Sequence, residues 1–143
     1  MTDHAARTLV LDTNVVLDWL VFRNPAVAPL GPALASGRWR WHATAEMRSE
    51  LELVLTYASI DRWAPDREAV WATWSRWALI VPAIPTAPSA PLRCTDPDDQ
   101  KFIDLALQHG NSTLLSRDRA VLKLARRALP RGLTIQTPER WVP

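Results

Sequence analysis

The chain has a single cysteine, Cys94, among 143 residues, so no disulfide can close within it. One thiol is also too few for a zinc-thiolate site. A reducing cytoplasm is therefore the expected compartment. No apolar run approaches the roughly 18–20 residues that a membrane span requires, so no membrane association is expected. The opening stretch, MTDHAARTLVLD, lacks the basic-then-apolar order of a secretory leader. No internal repeat is present. Nor does the composition suggest disorder, because 48% apolar and 22% charged residues lie close to globular averages. At this length the expectation is one domain covering residues 1–143.

What the chain does hold is unevenly placed. The net charge is only +2, yet Arg117, Arg119, Lys123, Arg126, Arg127 and Arg131 fall together against one acid, Asp118. Such a segment is either a solvated helix face or a track for a phosphate backbone. Eight tryptophans is a high number for one small domain. Trp71, Trp74 and Trp77 recur on one helical stripe, and Trp39 and Trp41 alternate on a strand. They are read as core or as a subunit interface rather than as base-stacking platforms, and they predict a homodimer or higher oligomer.

Strand-like and helix-like segments alternate. Thr8–Leu11 reads as a buried strand that ends at Asp12, and residues 13–21 as a helix. A second, proline-broken helix stops near Gly37, and residues 39–42 form strand two. Thr44 caps a long helix running to Tyr57, Pro65 starts another to Trp77, and residues 79–81 form strand three. A proline-rich connection over 82–97 leads to a helix over 97–109, with Gly110 as its left-handed stop. Strand four covers 112–115, a helix 119–128 and a last strand 133–136. This alternation predicts a three-layer α/β/α sandwich around a mostly parallel sheet of four to five strands. Ligands in such folds bind beyond the carboxyl ends of the strands.

Four acids sit at those ends: Asp12 directly after strand one, Glu50 in the helix after strand two, Asp99 early in its helix, and Asp118 after strand four. Each can also be read as ordinary structure. Asp12 or Thr13 can cap the first helix, Asp118 the one starting at Arg119, and Asp96-Pro97 make a cap-and-first-turn pair. Two stripes favour a site. Asp99 shares a face with Phe102, Ile103 and Ala106, and Glu50 lies beside Met47, Leu51 and Val54. A carboxylate aimed at the core side is costly unless a cation or hydrogen-bond donors compensate it. Converging carboxylates suit Mg²⁺ or Mn²⁺.

The strings LVLDTNVVLDWL and CTDPDDQKFIDLALQHGNSTLLSRDRAVL resemble, in order and spacing, the two signatures of PIN domains, the PilT N-terminus-like nucleases. The resemblance runs nearly end to end and is closest to the bacterial group described as toxins of toxin–antitoxin pairs. It implies a four-acid metal site at Asp12, Glu50, Asp99 and Asp118, with Glu46 the alternative to Glu50. Thr13 and Asn14 complete the first motif, Ser116 fills the hydroxyl position before Asp118, and Asp96 is an additional acid nearby. The implied activity is Mg²⁺- or Mn²⁺-dependent cleavage of RNA to a 5′-phosphate and a 3′-hydroxyl, in a type II toxin held by a small antitoxin protein. Arg117, Arg119 and Lys123 are the expected substrate-backbone contacts. His4, His42 and His109 are scattered, and no histidine or cysteine nucleophile is required.

Two other readings remain. An aspartate-nucleophile phosphotransferase also opens strand–Asp, but it needs a second aspartate where Asn14 stands. A non-catalytic PIN-like module that binds RNA or protein would keep the fold without turnover.

Overall fold

A computed structural model describes residues 6–143; His4 lies outside them. Five strands, β1 (Arg7–Leu11), β2 (Trp39–Ala43), β3 (Ala78–Ile80), β4 (Ser112–Leu115) and β5 (Leu133–Gln136), form one sheet in the order β3-β2-β1-β4-β5. All four pairings are parallel. The central β1 is buried from Thr8 to Leu11, as a strand covered on both faces must be.

The connections carry α1 (Thr13–Leu20), α2 (Leu30–Ala35), α3 (Ala45–Val54), α4 (Ala58–Asp61), α5 (Arg67–Trp77), α6 (Gln100–Leu107), α7 (Arg119–Leu122) and α8 (Ala125–Ala128). From β1 the chain steps to β2 and β3, then returns past β1 to β4 and β5. Right-handed crossovers in two directions place α1–α5 on one face and α6–α8 on the other. The reversal lies between β1 and β4, and ligands of such sheets bind beyond the carboxyl ends of the strands at that point. None of the helices among the described residues is long and apolar enough to cross a membrane.

Several expected boundaries shift for local reasons. The helix opened by Thr44 stops at Val54 rather than Tyr57, where the Thr56 hydroxyl turns back to the Leu53 carbonyl at 2.6 Å. Asp66, not Pro65, starts α5, because its carboxylate accepts from the Ala69 amide at 3.1 Å. Residues 97–109 divide into a 3₁₀ turn, Pro97–Asp99, and α6. Asn111 (φ 61°), not Gly110, takes the left-handed conformation beyond α6. The basic helix divides into α7 and α8. Gly132, at φ 79°, enters β5 where an added Cβ would stand 3.2 Å from the Asn111 amide nitrogen.

The tryptophans largely find their partners inside the chain. Trp41 packs edge-to-face on Trp74 at 4.8 Å and on Trp19 at 5.9 Å, and Trp39 on Trp141 at 5.3 Å. These aromatics fill the α1–α5 layer, so they supply no support for self-association. On the opposite face of β2, His42 meets His109 edge-on at 4.9 Å. Burial first, then the His109 and Arg40 charges, hold the His42 pKa below its usual value. The proline-rich stretch is pinned through the buried Gln100 amide, which accepts from Cys94 N at 2.6 Å and donates to Leu92 O at 2.9 Å.

Candidate metal centre

β1 and β4 run in register from Thr8–Ser112 to Leu11–Leu115, so Asp12 and Ser116 leave the sheet side by side. The Asp12 amide continues the ladder to Leu115 O at 3.0 Å. Ser116, fully buried, donates its hydroxyl to Asp12 Oδ2 at 2.7 Å and accepts from the Asp118 amide at 3.0 Å. One serine thus sets the spacing of two acids that lie 106 positions apart in sequence.

The capping reading and the site reading of these acids are both satisfied. Asp12 Oδ1 caps α1 through Asn14 N at 3.0 Å, Asp118 Oδ1 caps α7 through Ala120 N at 2.8 Å, and Asp96 Oδ1 caps the 3₁₀ turn through Asp98 N at 3.0 Å. In Asp96 and Asp118 the cap uses one oxygen and restrains the side chain. Asp96, Asp99 and Asp118 each offer a carboxylate oxygen, and the three atoms lie within 4.8 Å of one another. The structure therefore places Asp96, expected only in support, in the tightest group of acids, with Asp12 beside it.

Asp99 sits at the centre of the charge problem. It is 8% exposed, and its Oδ2 is sealed from solvent with no donor within reach. Burial, a hydrogen bond to Asp118, and the charges of Asp12, Asp118 and Asp96 push its pKa up to about 8. The Asp99–Asp118 bond needs a proton on one of the two carboxyls, because two carboxylates have no donor to share. Asp12 is also raised, first by burial and then by Asp118 and Glu50, against the lowering bonds from Ser116 and Asn14. A divalent cation would take the place of the shared proton. The donor set is all carboxylate oxygen, which suits Mg²⁺ or Mn²⁺.

Glu50 and Glu46 part company. Glu50 is half-buried and its charge acts on Asp12, whereas Glu46 is exposed, one turn away. Two neighbours of Asp99 escaped the sequence reading. Gln100 anchors the incoming chain, and the Lys101 ammonium lies 2.9 Å from Glu50 Oε2. No simple pattern marks either, since a polar pair at a helix start reads as solvated.

Arg117 departs from its expected place among substrate contacts. Its guanidinium is held by Asp18 of α1 at 2.5 Å and by Glu139 at 2.7–2.9 Å, bracing the β4–α7 link to the C-terminal segment. The Glu139 bond leads the causes that raise the Arg117 pKa, and the same bond lowers Glu139. Arg119 and Lys123 are exposed, and neither makes an ion pair among the described residues. Thr13 is buried behind Asp12, and Asn14 points its backbone amide at the Asp12 cap.

No curated protein matches the chain. The PIN-domain family profile matches residues 8–120, from the first residue of the buried core of β1 to the start of α7. That span takes in four strands and the acids Asp12, Glu46, Glu50, Asp96, Asp99 and Asp118, and the chain belongs to the PIN-domain family, whose members are generally nucleases.

Proposed function

We propose that the chain is a metal-dependent endoribonuclease that hydrolyses RNA phosphodiesters. The observation that carries this reading is the buried, donorless Oδ2 of Asp99 inside a group of acids whose mutual repulsion a cation relieves. Asp12, Asp96, Asp99 and Asp118 would hold the ion, with Glu50 on the α3 side. When bound, Mg²⁺ or Mn²⁺ acidifies water and stabilises charge on the attacked phosphate. The protein's own part is positional. Ser116 fixes Asp12 against Asp118, the caps restrain the side chains of Asp96 and Asp118, and the exposed Arg119 and Lys123 offer charge to the substrate backbone beside Asp118.

RNA as substrate and the role of a toxin restrained by a small antitoxin rest on the resemblance to toxin-type PIN domains, and an intracellular site of action follows from that role. The test is cleavage of a labelled RNA panel with Mn²⁺, with EDTA, and with Asp12→Asn and Asp99→Asn. Cleavage is expected only in the wild type with metal. Cleavage that survives both EDTA and the variants belongs to a contaminant and removes the assignment. Binding without cleavage under every condition supports the non-catalytic module instead.

A further inference from the structure

Lys101 stands where a cation would be most useful. It is the second residue of α6, two positions after Asp99, yet its side chain is only 16% exposed. The ammonium donates to the Asp98 carbonyl and lies 4.9 Å from the centre of the Phe102 ring, so it is held against its own helix start. From there it reaches Glu50 Oε2 at 2.9 Å, on a different helix. That oxygen is closed off from solvent, and the ammonium approaches it outside good hydrogen-bond directions. The contact is therefore an ion pair, set by charge rather than by bond geometry.

The acids consequently divide in two. Asp96, Asp99 and Asp118 bring carboxylate oxygens within 4.8 Å of one another, with no basic side chain paired to any of them among the described residues. Glu50, whose charge also acts on Asp12, is already matched by a tethered positive charge. A metal ion that sought Glu50 would have to displace that ammonium or sit beside it, and like charges at such range repel.

We propose that Lys101 is a built-in cation that takes the place of a second metal ion. The resting protein then binds one divalent ion, at the aspartates, while Lys101 neutralises and positions Glu50. This rests on the metal-site reading above. It concerns how many ions the site takes, a count that cleavage alone does not reveal.

The experiment is a calorimetric titration of the full chain with Mn²⁺, alongside a count of bound Mn²⁺ by electron paramagnetic resonance. Wild type is expected to bind one ion. Lys101→Met frees Glu50 and should bind two, Lys101→Arg keeps the charge and should bind one, and Lys101→Met with Glu50→Gln should return to one. Two ions in the wild type, or one ion at unchanged affinity in Lys101→Met, overturns the proposal. The wild-type count decides this even if a variant fails to fold. A wild type that binds no Mn²⁺, or an Asp99→Asn variant that binds as the wild type does, brings down the metal-site reading itself, a result distinct from a count of two.

Discussion

Asp99→Asn should make the metal-free protein more stable, by an amount that depends on pH. Asparagine keeps the shape of a protonated aspartate and places an amide donor toward Asp118. In the native chain the Asp99 pKa rises from 3.8 to about 8, so between those values the folded state holds a proton that the unfolded state has released. The folded pKa of an acid is raised here, and stability therefore falls as pH climbs from about 4 to 8. At pH 7 the part of the shift lying below that pH corresponds to roughly 4 kcal/mol at about 1.36 kcal/mol per unit. Sharing of the proton with Asp118 and relaxation of the site reduce this to about 2–3 kcal/mol, or roughly 4–12 °C for a domain of this size. Thermal melts by circular dichroism in EDTA, from pH 5 to 8.5, should show the two proteins converging toward the acid end and separating toward pH 8. Saturating Mn²⁺ should reverse the order, because it stabilises the wild type by mass action and the variant far less. Parallel melting curves across the range, or a less stable variant at pH 7 in EDTA, would refute the reasoning.

Ser116→Ala removes both the bond to Asp12 and the acceptor of the Asp118 amide, and a loss of about 1–3 kcal/mol in urea unfolding is expected, with Mn²⁺ affinity weakened roughly 10- to 100-fold. Glu50→Gln should lower cleavage of the RNA panel while Glu46→Ala leaves it near wild type; equal losses would undo the choice between them. Charge reversal of Arg119 and Lys123 together should weaken binding to all RNA sequences and reduce the salt slope by about one to two, read by fluorescence anisotropy at several salt concentrations. Arg117→Ala is expected to cost only about 1 kcal/mol, since the Asp18 and Glu139 pairs are partly exposed, and to leave that salt slope unchanged.

Much of the frame could be read from one dimension. A buried run ending on Asp12, helix stops and starts, and the stripe joining Asp99 to Phe102, Ile103 and Ala106 all depend on neighbours within a few residues. The structure agrees with them because local propensity and burial point the same way. What escaped the sequence is set by distant partners. Arg117 looked like one more member of a basic run until Asp18, 99 residues away, and Glu139, 22 away, claimed its guanidinium. Nothing in the sequence singled out Lys101, because its partner Glu50 comes from another crossover. Asp96 read as a cap, which it is; that its carboxylate also joins Asp99 and Asp118 follows only once β1 and β4 lie side by side. The breaks after Val54 and Leu122 carry no glycine or proline to announce them.

The pairing of β1 with β4 also sets a timetable. The middle strand of the sheet cannot complete its ladder until residues 112–115 exist, and Asp12 has no Ser116 to hold it before then. Contacts spanning about a hundred positions form late and slowly compared with local helices. A chain emerging from the ribosome is therefore expected to carry its acids dispersed, on separate segments, for most of its synthesis. Any capacity to cut RNA would be withheld from the nascent protein, including from the message being translated, until the last strands have cleared the exit tunnel.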